Sequence, residues 1–187
     1  MNATSSVAAA VTPDPTEAVT LLVNQHRRLE ALLSLVVEEA APPERTRRLL
    51  KAADELAVHI AAEEMLFYPA VRAERTEDIL LESLEEHLSL KRLLADLLAL
   101  DPVDCTFTPK CKVLLEQTEH HHEEEEDHLF PKVMLLLGPE KRAELGRQML
   151  QQQTDLMRAG EPREWAAEQT EAAQALDEEP TPRTEHP

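Results

Sequence analysis

Two pairs of residues in this 187-residue chain have types and spacing that point to metal chemistry: His59 with Glu63, and His121 with Glu125. Residues four positions apart lie on the same face of an α-helix, so the imidazole and the carboxylate of each pair point the same way. Imidazole and carboxylate donors without a thiolate suit iron, manganese or zinc. We therefore predict that each pair contributes donors to a metal site.

An internal repeat relates these two pairs to each other. They are 62 positions apart, and a proline follows each glutamate by six positions, at Pro69 and Pro131. Upstream, the segment NQHRRLEALL at 24–33 matches EEHLSLKRLL at 85–94, which pairs His26 with His87. Such self-similarity indicates one structural unit written twice. Here the unit is a helical hairpin that carries one histidine and then one His-x3-Glu pair.

The apolar pattern around these residues predicts that they are buried together. His26 lies between Leu22, Leu29 and Leu33, and His87 lies among leucines of the same helical spacing. Burying four histidines and two glutamates unpaired would cost several kcal/mol each, and a metal cluster removes that cost. A symmetric set of this kind suggests two metals bridged by the carboxylates, with positions left for a solvent-derived bridge and an exogenous ligand.

The elements that position these residues are predicted to be helices. Leu, Ala and Glu dominate the composition, and the chain has only 3 glycines and 3% aromatic residues, which disfavours a β-sandwich or barrel. Apolar periodicity and proline signals predict helices at about 16–40, 43–68, 76–100 and 109–137, a fifth at about 139–157 and a weaker one at about 164–176. Short connections between four long helices imply an all-α, up-down-up-down four-helix bundle with an additional C-terminal helix.

The ends of the chain differ in composition from its middle. We expect a disordered N-terminal tail at 1–15 and the bundle with its C-terminal helix at 16–160. A weakly helical segment followed by a disordered acidic tail is expected at 161–187, where proline, threonine and charged residues accumulate.

Charge and cysteine content restrict the partners and the compartment. The formal net charge of -18 argues against nucleic acid, whose phosphates need a lysine and arginine surface, and against anionic lipid. No apolar run is long enough to span a bilayer, and the N-terminus lacks the features of a signal peptide.

Cys105 and Cys111 do not form a disulfide framework, so we expect a cytoplasmic protein in which they are reduced bystanders or a redox pair. We expect a monomer or a weak oligomer.

The pattern H…HxxxE…H…HxxxE resembles that of the hemerythrin-like (HHE cation-binding) family over about residues 16–137. The segments HIAAEEMLFYP and HHHEEEEDHLFP are similar to that family's helix-two and helix-four signatures, including the terminal proline. The resemblance implies a non-heme diiron centre, with two iron ions joined by an oxo or hydroxo bridge. It implies six ligands: His26, His59, Glu63, His87, His121 and Glu125.

Two departures from the oxygen-carrying members of this family bear on function. Those proteins have a second histidine four residues after the first on helix three, where this chain has Lys91. They also have an aspartate five residues after the helix-four histidine, where this chain has Glu126. The departures point away from reversible oxygen carriage and towards a subgroup associated with peroxide breakdown or with sensing iron, oxygen or nitric oxide.

Two functions therefore remain open. The first is a catalase-like enzyme that reacts with hydrogen peroxide or O2, in which the metal acts as Lewis acid and template. The alternative is a sensor or binding protein for iron, oxygen or nitric oxide that does not turn over. Both need the same diiron site.

The register of helix four has alternatives, because three consecutive histidines precede four glutamates. Shifting the pair by one residue in either direction, to His120 with Glu124 or to His122 with Glu126, also satisfies HxxxE, and His122 with Asp127 has the spacing of the oxygen carriers. The 62-residue repeat and the proline offset favour His121 with Glu125. His128 is expected to be half-exposed.

Other polar residues beside the predicted site have uncertain roles. Tyr68 is nine residues past His59, so on a straight helix it points away, and only a kink at the following proline would bring it near. Lys91 either gates the site or extends to solvent. Glu64 and Glu126 are repeat-equivalent and could bond to ligands, but the acidic run that contains Glu126 is best interpreted as a solvated helix face.

Overall fold

The described residues, 14–39, 41–73, 75–160 and 162–177, form helices and no strands in this computed structural model. The bundle consists of α1 (Ala18–Glu38), α2 (Pro42–Ala62), α4 (Glu77–Ala99) and α5 (Phe107–Glu124). A π-helical turn, π1 (Glu63–Phe67), joins α2 to α3 (Tyr68–Val71), and a second, π2 (Glu125–Leu129), joins α5 to α6 (Phe130–Leu136). Two helices follow, α7 (Pro139–Ala159) and α8 (Pro162–Asp177). The predicted all-α bundle with additional C-terminal helix is confirmed.

The helix ends follow local chemistry. Glu17 caps α1 by accepting the backbone N–H of Thr20 at 3.2 Å. α2 and α7 each begin with a proline, where the missing N–H costs no helical hydrogen bond. α7 ends at Gly160, whose φ of 90° suits a residue without a side chain.

The prolines at 69 and 131 do not end their helices, so the predicted end of helix two near residue 68 is wrong. The helical path continues to Val71 because the turn ahead of each proline is a π-helix. In these turns Tyr68 N–H donates to the carbonyl of Glu63, and Phe130 N–H donates to that of Glu125. The wider turn gives room to a proline ring that would otherwise clash with the carbonyl four residues earlier.

Two apolar clusters fill the bundle, one on each side of the predicted ligands. In α1, Leu21 and Leu22 belong to one cluster, whereas Leu29 and Leu33 belong to the other. His26 lies between them in sequence. α4 meets the two clusters in the same order, whereas α2, and α5 with its continuation through π2, meet them in the reverse order. One leucine of the predicted stripe in α4 departs from this pattern, because Leu84 is 40% exposed.

Two helices pack against the outside of the bundle. α7 lies against α1 and α2, and α8 contacts both α2 and α4. At Gly146 in α7, a Cβ atom would come within 1.9 Å of the carbonyl oxygen of Thr16, so this contact requires glycine. Within the described ranges, no helix is long and apolar enough to cross a membrane. The predicted tails fall largely at 1–13 and 178–187, outside the described residues, and the division into domains stays a prediction.

Candidate metal centre

All six predicted ligands are buried, with between 0% and 2% of each residue exposed. Their imidazole Nε2 atoms and carboxylate oxygens face one another where the two apolar clusters meet. On one side, His26 and His59 lie close to Glu63, with His59 Nε2 at 3.2 Å from Glu63 Oε2. On the other, His87 Nε2 lies 2.9 Å from His121 Nε2.

The two glutamates occupy the middle of this arrangement. Oε2 of Glu63 is 3.4 Å from His87 Nε2, and its Oε1 is 3.9 Å from His26 Nε2. Oε2 of Glu125 is 3.3 Å from His26 Nε2 and 3.8 Å from His121 Nε2. Each carboxylate therefore contacts histidines of both sides, as a bridging ligand between two metals would.

A fifth histidine, His122, joins the cluster and was not among the predicted ligands. It is 1% exposed, and its ring stacks on that of His26 with centroids 3.8 Å apart. Donor atoms of His26, His59 and His122 lie within 4.8 Å of one another, and so do those of Glu63, His87 and His121. The structure thus brings His121 and His122 into the same core from adjacent faces of α5.

The other residues of the helix-four alternatives stay outside this core. His120 and His128 are exposed, and His128 is 3.5 Å from the carboxylate of Glu124.

Cys105 and Cys111 are both free thiols, the first exposed and the second buried. Burial raises the pKa of Cys111 to about 11, which makes its reactive thiolate rare at neutral pH.

The outer nitrogen of every imidazole in the cluster is held by an oxygen acceptor. Nδ1 of each histidine lies between 2.8 and 3.1 Å from its acceptor. The five pairs are His26 with Glu126, His59 with Gln25, His87 with Glu64, His121 with Glu86, and His122 with Glu30. Because carboxylate and amide oxygens only accept hydrogen bonds, Nδ1 must carry a proton. These hydrogen bonds also orient each ring so that Nε2 points to the centre of the cluster, where its lone pair can bind a metal.

The interpretation of the acidic run as a solvated helix face is therefore wrong for Glu126, which bonds to His26. Glu64 bonds to His87, a contact that the sequence allows. Glu126 also pairs with Arg27, and Arg27 in turn bonds Glu30. Gln25 is held by Gln153 of α7 at 2.8 Å, so a helix outside the bundle helps to orient His59.

The electrostatics of the metal-free cluster divide its histidines into two kinds. Burial lowers the pKa of His26 and of His87, but the close contacts and negative charges of the neighbouring glutamates outweigh burial, and the values rise to about 10 and about 9. Burial lowers the pKa of His59 to about 3, against the opposing charge of Glu63 and with help from the neighbouring histidines. The pKa of His122 is lowered like that of His59: burial and the charges of His26 and His59 hold it far below the usual range.

Tyr68 lies at the cluster, contrary to the prediction for a straight helix. Its hydroxyl donates to Oε1 of Glu125 at 2.9 Å and is 3.3 Å from His87 Nε2. π1 explains the difference: its extra residue turns everything beyond it by roughly 100°. Burial and the charges of Glu125 and Glu63 raise the pKa of Tyr68 well above its usual value, so the phenol keeps its proton.

Lys91 neither reaches the cluster directly nor extends to solvent. It is 4% exposed, and its ammonium donates to both oxygens of Glu64 at 2.8 Å and to Gln169 of α8 at 2.5 Å. The same ammonium is 5.1 Å from the ring of Trp165. The ammonium of Lys91 is therefore separated from His87 only by the carboxylate of Glu64.

Six buried side-chain nitrogen and oxygen atoms in this core, each able to bind a metal, have no hydrogen-bond partner. They are Nε2 of His26, His59 and His122, both carboxylate oxygens of Glu63, and Oε2 of Glu125. Buried polar atoms are nearly always satisfied, and leaving them unpaired is costly. Bound metal cations would satisfy all six, and the nitrogen and oxygen donors fit iron. The residues present therefore fit a metal centre.

Comparison with known proteins agrees with this geometry. Residues 17–133, more than half of the chain, match the hemerythrin HHE cation-binding domain. Neither the curated proteins nor the solved structures contain a significant match. The matched range includes every histidine of the cluster and ends before α7 begins.

Proposed function

The chain belongs to the hemerythrin HHE cation-binding family, and we propose that it holds two iron ions and breaks down hydrogen peroxide in a catalase-like reaction. The proposed ligands are those predicted from the sequence: His26, His59, Glu63, His87, His121 and Glu125. The observation that carries this proposal is the convergence of unpartnered Nε2 and carboxylate atoms in a core whose proposed ligands are at most 2% exposed. That the family binds metal cations, typically iron, supports the choice of metal.

The arrangement supports two ions because the glutamates stand between two groups of histidines. Glu63 contacts His59 and His87, which belong to different groups, and Glu125 contacts His26 and His121 in the same way. A pair of irons would supply Lewis acidity and a two-electron couple.

Peroxide disproportionation needs a place to hold protons. One peroxide accepts two electrons and two protons, its O–O bond breaks and two waters form; a second gives up two electrons and two protons and leaves as O2. The protein's own residues must store the protons between these halves. Tyr68 supplies an O–H beside the cluster, which it donates to Oε1 of Glu125 at 2.9 Å. General acid–base groups at this distance are well placed for such a transfer.

A cavity of about 340 Å³ has Tyr68 among its lining residues. Glu64 also lines it, together with Leu80, Leu81, Leu84 and neighbouring polar groups. Its size suits small molecules such as hydrogen peroxide, O2 or nitric oxide.

A sensor is the second candidate, and one contact favours it. Lys91 connects Glu64, which holds His87, to Gln169 and Trp165 of α8. α8 lies beyond the matched residues 17–133, so a change at the site can reach a helix outside the family domain. A sensor would move α8 on binding iron, oxygen or nitric oxide without consuming the ligand.

Metal analysis and turnover on one sample test the proposal. Protein loaded anaerobically with ferrous iron should hold about two irons per chain, and exposure to air should give an electronic spectrum typical of a bridged diiron centre. His59→Ala and His121→Ala should each lose at least one iron, whereas His120→Ala, on the exposed side of α5, should lose none. A fully helical protein that takes up no iron would contradict the metal centre.

The catalase-like reaction is tested on the same protein with an oxygen electrode. Oxygen evolution from hydrogen peroxide should exceed that of an equal amount of free iron, and Glu63→Gln should abolish the excess. If the wild type behaves like free iron while Trp165 emission responds to iron or nitric oxide, the sensor is the correct function.

A further inference from the structure

His122 is a buried histidine that the six-ligand proposal leaves unused. Its Nε2 has no hydrogen-bond partner, although the residue is only 1% exposed. An ordinary core histidine bonds through both nitrogens or through one nitrogen and water. The orphaned atom therefore needs an explanation beyond packing.

Its position supplies that explanation. One ring nitrogen from each of His26, His59 and His122 lies within 4.8 Å of the other two, and the three could bind one ion together. The rings of His26 and His122 are nearly parallel, at 4°, and that of His59 stands at 85° to His122. Imidazoles from three helices, α1, α2 and α5, thus bring donor nitrogens close enough together to share one ion.

Nδ1 of His122 is hydrogen-bonded to an acceptor in the same way as Nδ1 of each proposed histidine ligand. Nδ1 donates to Glu30 at 2.9 Å, and Arg27 holds Glu30 at 3.0 Å. A carboxylate behind an imidazole fixes its tautomer and raises its strength as a metal ligand. Glu86 stands behind His121 at 2.8 Å in the same relationship.

The two neighbours on α5 can serve different ions because successive helical residues point about 100° apart. His121 faces α4, where it meets Glu86 and His87, and His122 faces α1, where it meets Glu30 and His26. α5 packs against both of these helices, so each imidazole has a group of donors to join.

We propose that His122 is a seventh ligand of the centre, so that three imidazoles hold one iron and two hold the other. This inference rests on the proposed diiron centre and refines it. The donor set is then unequal, with His26, His59 and His122 on one side and His87 and His121 on the other. The side with fewer protein donors is the one beside Tyr68 and its cavity.

Anaerobic titration of the metal-free protein with ferrous iron or cobalt(II) tests this assignment. His122→Ala should keep one tight equivalent and bind the second at least tenfold more weakly, since outer residues alone are worth about 10–100-fold. His120→Ala is the matched control, because it removes the neighbouring exposed imidazole, and it should bind both equivalents like the wild type. Added imidazole should restore the weak equivalent in His122→Ala by filling the vacated space, an effect that a purely structural role would not produce.

Two further variants assign His122 to its side of the centre. Glu30→Gln should weaken the same equivalent as His122→Ala even if the latter folds poorly. His87→Ala should affect the other one, so His87→Ala/His122→Ala should lose both. If His122→Ala and Glu30→Gln bind two equivalents with wild-type affinity, His122 is not a ligand, although the diiron proposal stands. If the wild type itself binds no metal, the diiron proposal fails.

Discussion

The hydroxyl of Tyr68 donates a hydrogen bond of 2.9 Å to Oε1 of Glu125, a carboxylate whose other oxygen faces His26 and His121. This bond joins the only phenol of the chain to the centre of the candidate metal site. It exists because π1 turns Tyr68 inwards.

Tyr68→Phe should separate metal binding from proton transfer. Phe130 occupies the repeat-equivalent position and stacks near His26, so the repeat itself tolerates phenylalanine here. We expect the variant to retain its iron, while peroxide turnover falls on the order of 100-fold, a usual loss for an acid–base group. Iron analysis and an oxygen electrode measure the two effects. Unchanged turnover with full iron content would remove Tyr68 from the mechanism.

The sequence predicts the bundle and the six central donors because both follow the regular geometry of an α-helix. Residues four apart share a face, and the repeat places the second pair 62 positions after the first. Tyr68 could not be placed in this way, because a π-helical turn breaks the regular spacing. A proline six residues after the glutamate in both halves is the signal that could have indicated such a turn.

For other physical reasons, the sequence did not predict His122 as an additional member of the cluster or Glu126 as a partner of His26. The repeat gives His122 no counterpart, since the position 62 residues earlier is Ile60, a buried apolar residue. Glu126 lies in an acidic run whose neighbours Glu123 and Asp127 are indeed exposed. Only the three-dimensional position of Nδ1 of His26 distinguishes Glu126 from them.

Metal binding should release protons at neutral pH. With pKa values of about 10 and about 9, His26 and His87 are protonated at pH 7 in the metal-free protein. A metal needs the imidazole lone pair, so these protons must leave, and affinity must rise as the pH rises. Calorimetric titration in buffers of different ionisation enthalpy should show about two protons released per chain on loading.

A control and a contrary result define this pH test. The exposed His128 should contribute nothing, so His128→Ala should release as many protons as the wild type. Metal affinity that is constant between about pH 6 and 8 would mean that His26 and His87 are neutral before loading.

Lys91 should hold α8 against the bundle. Lys91→Met leaves Glu64 without its cation and removes the contacts with Gln169 and Trp165. Breaking a buried ion pair costs about 3–5 kcal/mol, so thermal unfolding should occur at a clearly lower temperature. Trp165 is the only tryptophan, so its emission should shift to longer wavelength as the ring gains water. Lys112→Met, an exposed lysine on α5, should change neither property.

Gly146 tests whether α7 is part of the folded unit. A Cβ atom at this position would meet backbone atoms of Thr16 and Ala18, which cannot move aside as a flexible side chain can. Gly146→Ala should therefore destabilise the protein by about 1–3 kcal/mol, a usual cost of overpacking. Gly138→Ser is the control, since nothing lies within 4 Å of a Cβ there. Equal melting temperatures for the two variants would mean that α7 packs loosely.

The iron-loaded protein should form no stable, reversible oxygen adduct. A carrier must release O2 unchanged, whereas here a phenol lies 2.9 Å from a central carboxylate and an ammonium stands behind Glu64. Nearby protons favour O–O bond cleavage, because each peroxide reduced to two waters takes up two protons. We expect one O2 for every two molecules of hydrogen peroxide consumed.

Cycles of oxygen exposure and removal should give spectra that do not return to the ferrous state. A spectrum that appears and disappears over repeated cycles, without loss of iron, would identify a carrier or an oxygen sensor instead. Such reversibility in Tyr68→Phe but not in the wild type would attribute the difference to the phenol.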